Sequence, residues 1–303
     1  MIDSRLVVGL CDGNGNLIAS QPYNEFEYGH RSSELLIPIR GRRLVAILQD
    51  DIGNISYENN RLVLRQIIYS NVNISTMSLL GKIAEAVLVR RCNEDQELNQ
   101  NLFRLARGKR AYLRTVSKYT AIGTGLKQTQ LHHPRRYNPS DTQRDIIWID
   151  ENEIPALMAG GTAQCGVEAG LQVKASMDGI GYIYRDLVNA RYEVPIIYFP
   201  LNNDFERIAD RLHRDNAQIL DPVTGEYREI RIGEDLIDIR AYDRDAFEEV
   251  RDYRPIIQDL MEGNIELHDL VDIASRYNME PLKNTVMMSA VDSAETTKTI
   301  ILQ

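Results

Sequence analysis

A glutamine and a lysine two residues apart are the side chains in this sequence best placed for hydrolytic chemistry. Gln172 and Lys174 lie in the short apolar run Leu171–Ser176, which is typical of a β-strand. Because side chains alternate along a strand, both should lie on one face while Val173 packs inward. That face offers an oxygen ligand and an ammonium donor. A carboxylate from a neighbouring strand would complete a site for a divalent cation and a water molecule, as phosphodiester hydrolysis requires.

Three acids could supply that carboxylate. Asp145 opens an apolar strand, Glu168 comes shortly before the Gln172 strand, and Asp141 lies in a polar segment. A hairpin that pairs the start of one strand with the middle of the next needs about ten or more residues, at about 3.3 Å per residue. Asp145 meets this requirement, so we rank it first, Glu168 second and Asp141 third.

The elements around these residues predict an α/β domain. Apolar residues recur with helical spacing over 79–88, and Glu85 lies at the edge of that stripe. A second amphipathic stretch covers 96–107, and residues 123–142 should form a long loop. The alternation and length of the apolar runs predict strands at 112–122, 145–149, 171–175 and 194–201, and helices at 183–190 and from 203 onwards.

The flanking segments indicate two further regions. Residues 1–74 are expected to form a β-rich unit of five or six short strands, at 6–10, 17–19, 35–39, 44–48, 55–57 and 62–64. Residues 216–303 contain strand-like runs and two helical patterns, at 246–262 and 267–277, which indicates an α+β region. We therefore predict an N-terminal module over 1–74, an α/β core over 75–215 and an acidic C-terminal region over 216–303.

Charge is distributed unevenly along the chain, although its net value is −9. Residues 104–144 carry ten Lys or Arg against one acid, whereas residues 204–303 carry 23 acids against 12 bases. Phosphate binding is local, so a basic patch can bind nucleic acid on an acidic protein. The cations expected to hold a nucleic-acid backbone are Arg107, Lys109, Arg110, Arg114, Lys127, Arg135 and Arg136.

Composition indicates an ordinary soluble globular protein. The three cysteines are far apart, so we expect reduced thiols without zinc spacing. No apolar run approaches the roughly 20 residues that cross a bilayer. The first residues lack the basic-then-apolar pattern of a signal peptide. We expect a cytoplasmic protein with no membrane partner.

The order helix–strand–strand–strand–helix–strand, with an acid opening the second strand and Gln-x-Lys in the third, resembles the PD-(D/E)xK nuclease superfamily over roughly residues 75–215. This family includes restriction endonucleases and Holliday-junction resolvases. The resemblance implies a restriction-endonuclease-like core, a mixed central sheet flanked by helices. It also implies one or two Mg²⁺ ions (or Mn²⁺), held by the acid, the third strand and a glutamate on the first helix. Pro139 lies six residues before Asp145 rather than beside it, and glutamine replaces the commoner acid of the third strand.

Carried over to this chain, the resemblance assigns catalytic roles to four residues, with Lys174 orienting the attacking water: Asp145, Gln172, Lys174 and Glu85. Metal ligands would come from Asp145, Gln172 and Glu85, with Glu168 as a further candidate. The expected function is a metal-dependent endonuclease acting on DNA, such as a prokaryotic or phage defence or restriction component. The alternative is a non-catalytic nucleic-acid-binding or assembly protein that keeps a degenerate nuclease fold. In both cases the terminal regions would serve a protein partner or a second copy of the chain.

Overall fold

The computed structural model describes residues 6–11, 17–23, 25, 31–58, 61–65, 70–108, 118–158, 166–276, 286–291 and 297–302. The chain is mixed α/β and divides into two compact units. The first unit comprises Met1–Gln49, Asn54–Thr76 and Asp252–Gln303. The second comprises Asp50–Gly53 and Met77–Arg251. The segments 1–74, 75–215 and 216–303 expected from the sequence are consecutive, whereas each unit combines separate stretches of the chain. In the first unit, pairing between Leu6–Cys11 and Val286–Val291 joins residues from the two ends of the chain.

The first unit contains a four-stranded antiparallel sheet. Its strand order is β13-β12-β1-β2, formed by Thr297–Leu302, Val286–Val291, Leu6–Cys11 and Leu17–Pro22. A separate hairpin joins β3 (Ile55–Glu58) and β4 (Arg61–Leu64). Helix α1 (Ser33–Ala46) packs against the helix Leu267–Arg276.

The strands predicted at 35–39 and 44–48 are wrong, because both segments lie in α1, which continues into a π-helical turn at Ile47–Ile52. Ser32 begins the helix by accepting a hydrogen bond from the Leu35 amide. Short apolar runs do not distinguish a strand from a helix that is buried on several sides. The region is therefore mixed α/β. The other strands predicted in it are confirmed as the pair β1 and β2 and the pair β3 and β4.

The second unit contains a five-stranded mixed sheet flanked by helices. Its order is β11-β8-β7-β6-β5, with β11, β8 and β7 parallel and β7, β6 and β5 antiparallel. The strands are Leu236–Asp238, Ile196–Pro200, Gly170–Ser176, Ile146–Ile149 and Thr120–Gly123. A two-stranded sheet of β9 (Gln218–Leu220) and β10 (Tyr227–Glu229) lies in the same unit.

The helices of this unit follow the predicted order, with one addition. They are α2 (Val72–Glu94), α3 (Gln96–Ala106), α4 (Lys127–His132), α5 (Ile183–Val188), α6 (Phe205–Arg214) and α7 (Arg244–Glu262). The start of α2, up to Thr76, and the end of α7, from Asp252, belong to the first unit, as does α8, the Leu267–Arg276 helix. α4 interrupts the segment 123–142 that was expected to be a loop. Of the strand predicted at 112–122, residues 112–117 lie outside the described residues, and β5 occupies its end and runs on to Gly123.

Helix α2 supplies much of the core of this unit. Its buried residues include Leu79, Leu80, Ile83, Val87 and Leu88. In the described part of the chain, α2 is the one helix long and apolar enough to cross a membrane, with a mean hydropathy of 1.4 over 18 residues. It is an exception to the expectation that no stretch is apolar enough to do so. Burial of 56% of that window inside the fold is also typical of a core helix.

Candidate functional site

Asp145 immediately precedes β6 and connects that strand to its neighbour β7. The Asp145 amide donates to the carbonyl of Leu171 at 3.0 Å, and β6 pairs with β7 through Ile146 and Leu171. This register directs the carboxylate to the middle of β7. Its Oδ2 accepts hydrogen bonds from the Val173 amide, at 2.8 Å, and from Nε2 of Gln172. The structure therefore brings together the acid and the Gln-x-Lys strand.

Glu85, on helix α2, brings a second carboxyl group close to Asp145. It is buried, and the Gly125 amide donates a hydrogen bond to its carboxyl group. Gly123, at the end of β5, makes the space for this side chain, since a Cβ there would lie 2.6 Å from Oε1 of Glu85. A larger residue at position 123 would therefore displace the glutamate or its neighbours.

Burial and charge repulsion act on both carboxyl groups. Burial, followed by the nearby Asp145 carboxylate, raises the pKa of Glu85 well above its usual value. Burial also raises the pKa of Asp145, although Lys174 and the Val173 amide oppose the change. Two carboxyls that repel each other in a buried site lower their energy by binding a proton or a cation.

Two oxygens of this cluster are buried without a hydrogen-bond partner among the described residues. They are Oε1 of Glu85 and Oε1 of Gln172. Buried polar atoms are rarely left unpaired, because losing water without a replacement costs free energy. The glutamine directs its nitrogen to Asp145 here, and a half-turn of the amide would exchange its nitrogen and oxygen. The unpaired atoms are those that a hard cation prefers as ligands.

Lys174 lies on the same strand and is held by aromatic rings. Its Nζ is 4.8 Å from the ring centre of Tyr192 and 5.9 Å from that of Tyr182. Its positive charge favours the ionised form of Asp145 and so opposes part of the rise in the pKa of that residue caused by burial. In the described part of the chain it forms no ion pair within 4.0 Å. The ammonium is therefore positioned beside the acid cluster with its hydrogens available.

The other two candidate acids are engaged by Arg144. Its Nη1 pairs with Glu168 at 2.9 Å, and its Nε pairs with Asp141 at 3.2 Å. Asp141 also accepts hydrogen bonds from the amides of Gln143 and Arg144, as in a local turn. Of the three candidate acids, Asp145 is the one that bonds the Gln-x-Lys strand. Arg144 and Glu168 instead line a surface cavity of about 510 Å³.

The predicted basic residues have diverse surroundings. Arg107 donates to the carbonyl of Leu157 at 2.8 Å, and Arg136 donates to that of Glu153 at 2.6 Å. The aliphatic part of Lys127 packs against Gly53. Arg135 is exposed. Lys109, Arg110 and Arg114 lie outside the described residues. Two of the four described cations are thus used, at least in part, to hold loops.

Sequence reasoning missed three residues of this site: Gly123, Tyr182 and Tyr192. The glycine had a signal, since it ends a strand close to Asp145 in the predicted sheet and small residues allow close approach. The tyrosines had none, because their partnership with Lys174 depends on how the chain returns after β7. Residues far apart in the sequence meet here through tertiary packing alone.

The donor set fits a hard divalent cation, but with few charges. The described residues contain no group of three or more His, Cys, Asp or Glu side chains that could hold a metal ion. The set here is two carboxyls and one amide, all oxygen donors of the kind that Mg²⁺ and Mn²⁺ accept. The unpaired oxygens of Glu85 and Gln172 support this fit. A site with one neutral ligand should bind metal more weakly than one with three acids.

The fold and the site define a mixed α/β protein with a buried acid–amide–lysine cluster at the centre of its sheet. Comparison of the chain with models of known families, with curated proteins and with solved structures gives no match. The geometry of this cluster is therefore the basis on which a function is inferred.

Proposed function

We propose that this chain is a metal-dependent nuclease that hydrolyses phosphodiester bonds of DNA, built on a restriction-endonuclease-like core. The observation that carries the proposal is the convergence of Glu85, Asp145 and Gln172, with two of their oxygens buried and unpaired, beside Lys174. The antiparallel β5-β6-β7 unit, continued by parallel β8 and preceded by α2, is compatible with such a core. A role in prokaryotic or phage defence belongs to the same proposal.

The roles of the side chains follow from their chemistry. Glu85, Asp145 and the amide oxygen of Gln172 would hold Mg²⁺ or Mn²⁺. The bound cation supplies Lewis-acid stabilisation of the charge that builds on the phosphate. Lys174 can donate a hydrogen bond to a water or to a phosphate oxygen, and its position against two tyrosine rings keeps it oriented for this task.

One experiment tests the proposal directly. Plasmid and short linear DNA are incubated with Mg²⁺ or Mn²⁺ and wild-type protein, Lys174→Ala or Glu85→Gln. We expect cutting by the wild type and loss of at least 100-fold in either variant, in the range typical of removed catalytic groups. Glu168→Gln is the matched control, because that acid is paired with Arg144 and should be dispensable.

The second candidate function is that of a non-catalytic nucleic-acid-binding or assembly protein that keeps a degenerate nuclease fold. It is favoured by the Gln172 amide, which donates to Asp145 and thereby satisfies that carboxylate without a cation. Calorimetric titration with Mn²⁺ separates the two functions. Binding that Asp145→Asn abolishes supports the nuclease, whereas absence of binding and of cleavage in the wild type would favour the non-catalytic protein.

A further inference from the structure

The ring of Tyr192 carries a second cation besides Lys174. The guanidinium carbon of Arg191 lies 5.3 Å from the ring centre, and Nζ of Lys174 lies 4.8 Å from it. The two charges are therefore within about 10 Å of each other. At about 3.4 Å of helix rise per nucleotide in one strand, this distance spans no more than about three nucleotides.

Arg191 is held by Asp186 on one side, and its side chain stays mainly exposed to solvent. Its Nη1 pairs with Oδ1 of Asp186 at 3.0 Å, and its amide donates to the Asp186 carbonyl at 3.0 Å. The Asp186 side chain is buried, whereas the side chain of Arg191 keeps 55% of its exposure. Among the described residues only Nη1 is engaged by a carboxylate. Nε and Nη2 remain available to an anion in solvent.

A purely structural ion pair does not account for this arrangement. The second oxygen of Asp186, Oδ2, is buried and has no partner among the described residues. A buried carboxylate with one unsatisfied oxygen is costly to keep. A mainly exposed arginine contributes little stability in return. What the anchor does achieve is to hold a guanidinium in one orientation at a fixed distance from Lys174.

We propose that Arg191 binds a backbone phosphate of the DNA next to the phosphate that Lys174 and the acid cluster engage. This inference rests on the proposed function and names a substrate contact of the same site. A guanidinium fork matches the two free oxygens of a phosphodiester, and preorganisation by a buried carboxylate reduces the entropy lost on binding. Asp186 is then a positioning residue, since it acts through Arg191.

The test measures binding rather than cleavage. Fluorescence anisotropy follows a short fluorescein-labelled DNA duplex in EDTA, which keeps the DNA intact, over a series of salt concentrations. Arg191→Gln should bind about tenfold more weakly, as expected for a lost charged hydrogen bond. The slope of log K against log salt should fall by about 0.9, the value for one phosphate contact. Asp186→Asn should weaken binding less and leave the slope close to that of the wild type.

Arg211→Gln is the matched control. Arg211 is also exposed, lies 4.1 Å from the ring centre of Tyr184 and pairs with Asp215 at 3.5 Å. It contacts neither of the two tyrosine rings that hold Lys174, which are those of Tyr182 and Tyr192. It should bind DNA as the wild type does. Equal affinity and equal salt slope for the two arginine variants would overturn the inference, as would a wild type without salt-dependent binding. Thermal melting of each variant shows whether it is folded, and Arg191→Lys, which keeps the charge, should retain the slope but lose part of the affinity.

Failure here is separable from failure of the proposed function. Metal-dependent cleavage that needs Lys174 could stand while the Arg191 variant binds normally, and this would reject the phosphate contact alone. Conversely, an Arg191-dependent salt slope in a protein that neither binds Mn²⁺ nor cuts DNA would support the contact and the non-catalytic alternative.

Discussion

The burial of Glu85 predicts that this protein becomes less stable as the pH rises in the absence of metal. Burial and the Asp145 carboxylate raise the pKa of Glu85 well above its usual value, so the folded state holds a proton that the unfolded chain releases. Where the folded state binds more protons, the free energy of unfolding decreases with pH. One proton corresponds to a slope of at most about 1.4 kcal/mol per pH unit.

Glu85→Gln should remove this dependence, because glutamine has nearly the same shape and no ionisable group. Below the unfolded pKa of about 4.5, the wild type and the variant should have similar stability. As the pH rises towards the folded pKa, the wild type should lose stability relative to the variant. Urea unfolding in EDTA, followed by the fluorescence of Trp148, the single tryptophan, which is buried on β6, measures the difference at each pH.

In the presence of metal, the wild type should instead become more stable than Glu85→Gln at high pH. Mn²⁺ competes with the proton for the ionised carboxylates, so it should stabilise the wild type increasingly as the pH rises and should stabilise Glu85→Gln little. Glu97→Gln, which changes an exposed acid on α3, should behave like the wild type throughout. Parallel pH curves for the wild type and Glu85→Gln in EDTA would refute the reasoning, since they would mean that folding does not change the proton affinity of Glu85.

Three further substitutions test the packing and charge of the same site. Gly123→Ala would place a Cβ 2.6 Å from the Glu85 carboxylate and should cost about 1–3 kcal/mol in urea unfolding and weaken Mn²⁺ binding. Gly81→Ala, earlier on helix α2, should instead stabilise the protein by about 0.5–1 kcal/mol, because among the described residues no atom outside the adjacent backbone of the helix lies within 4 Å of the new Cβ. Gln172→Glu should bind Mn²⁺ more tightly in calorimetry and lose about 1–3 kcal/mol of stability in EDTA, because it replaces a donor to a buried carboxylate with another acid.

The central part of the site could be predicted from sequence because its signals are local. Alternation in β7 placed Gln172 and Lys174 on one face, and the reach of a hairpin selected Asp145 over Glu168 as the acid that contacts them. The structure shows the Asp145 contact and pairs Glu168 with Arg144. Helical periodicity placed Glu85 on a helix, although its distance from Asp145 depended on a resemblance rather than on a derivation.

The rest was not predictable because it depends on contacts between distant segments. The pairing of β12 with β1 joins residues about 280 positions apart, and no local pattern announces it. Helix α1 was mistaken for strands since its buried residues include Leu35–Pro38 in succession, which obscures the helical period. The contact of Tyr192 with Lys174 arises only when the chain returns to β7 ahead of β8.

The glutamine at position 172 explains how the cluster can exist without a metal. With an acid there, three buried carboxylates would repel one another, and the folded state would depend on a cation or on several bound protons. The amide instead donates to Asp145, while its unpaired oxygen and that of Glu85 retain capacity for a cation. This choice favours a stable metal-free fold at the expense of metal affinity. Substrate phosphate would then supply part of the missing negative charge, so that cation and DNA should bind more tightly together than either does alone.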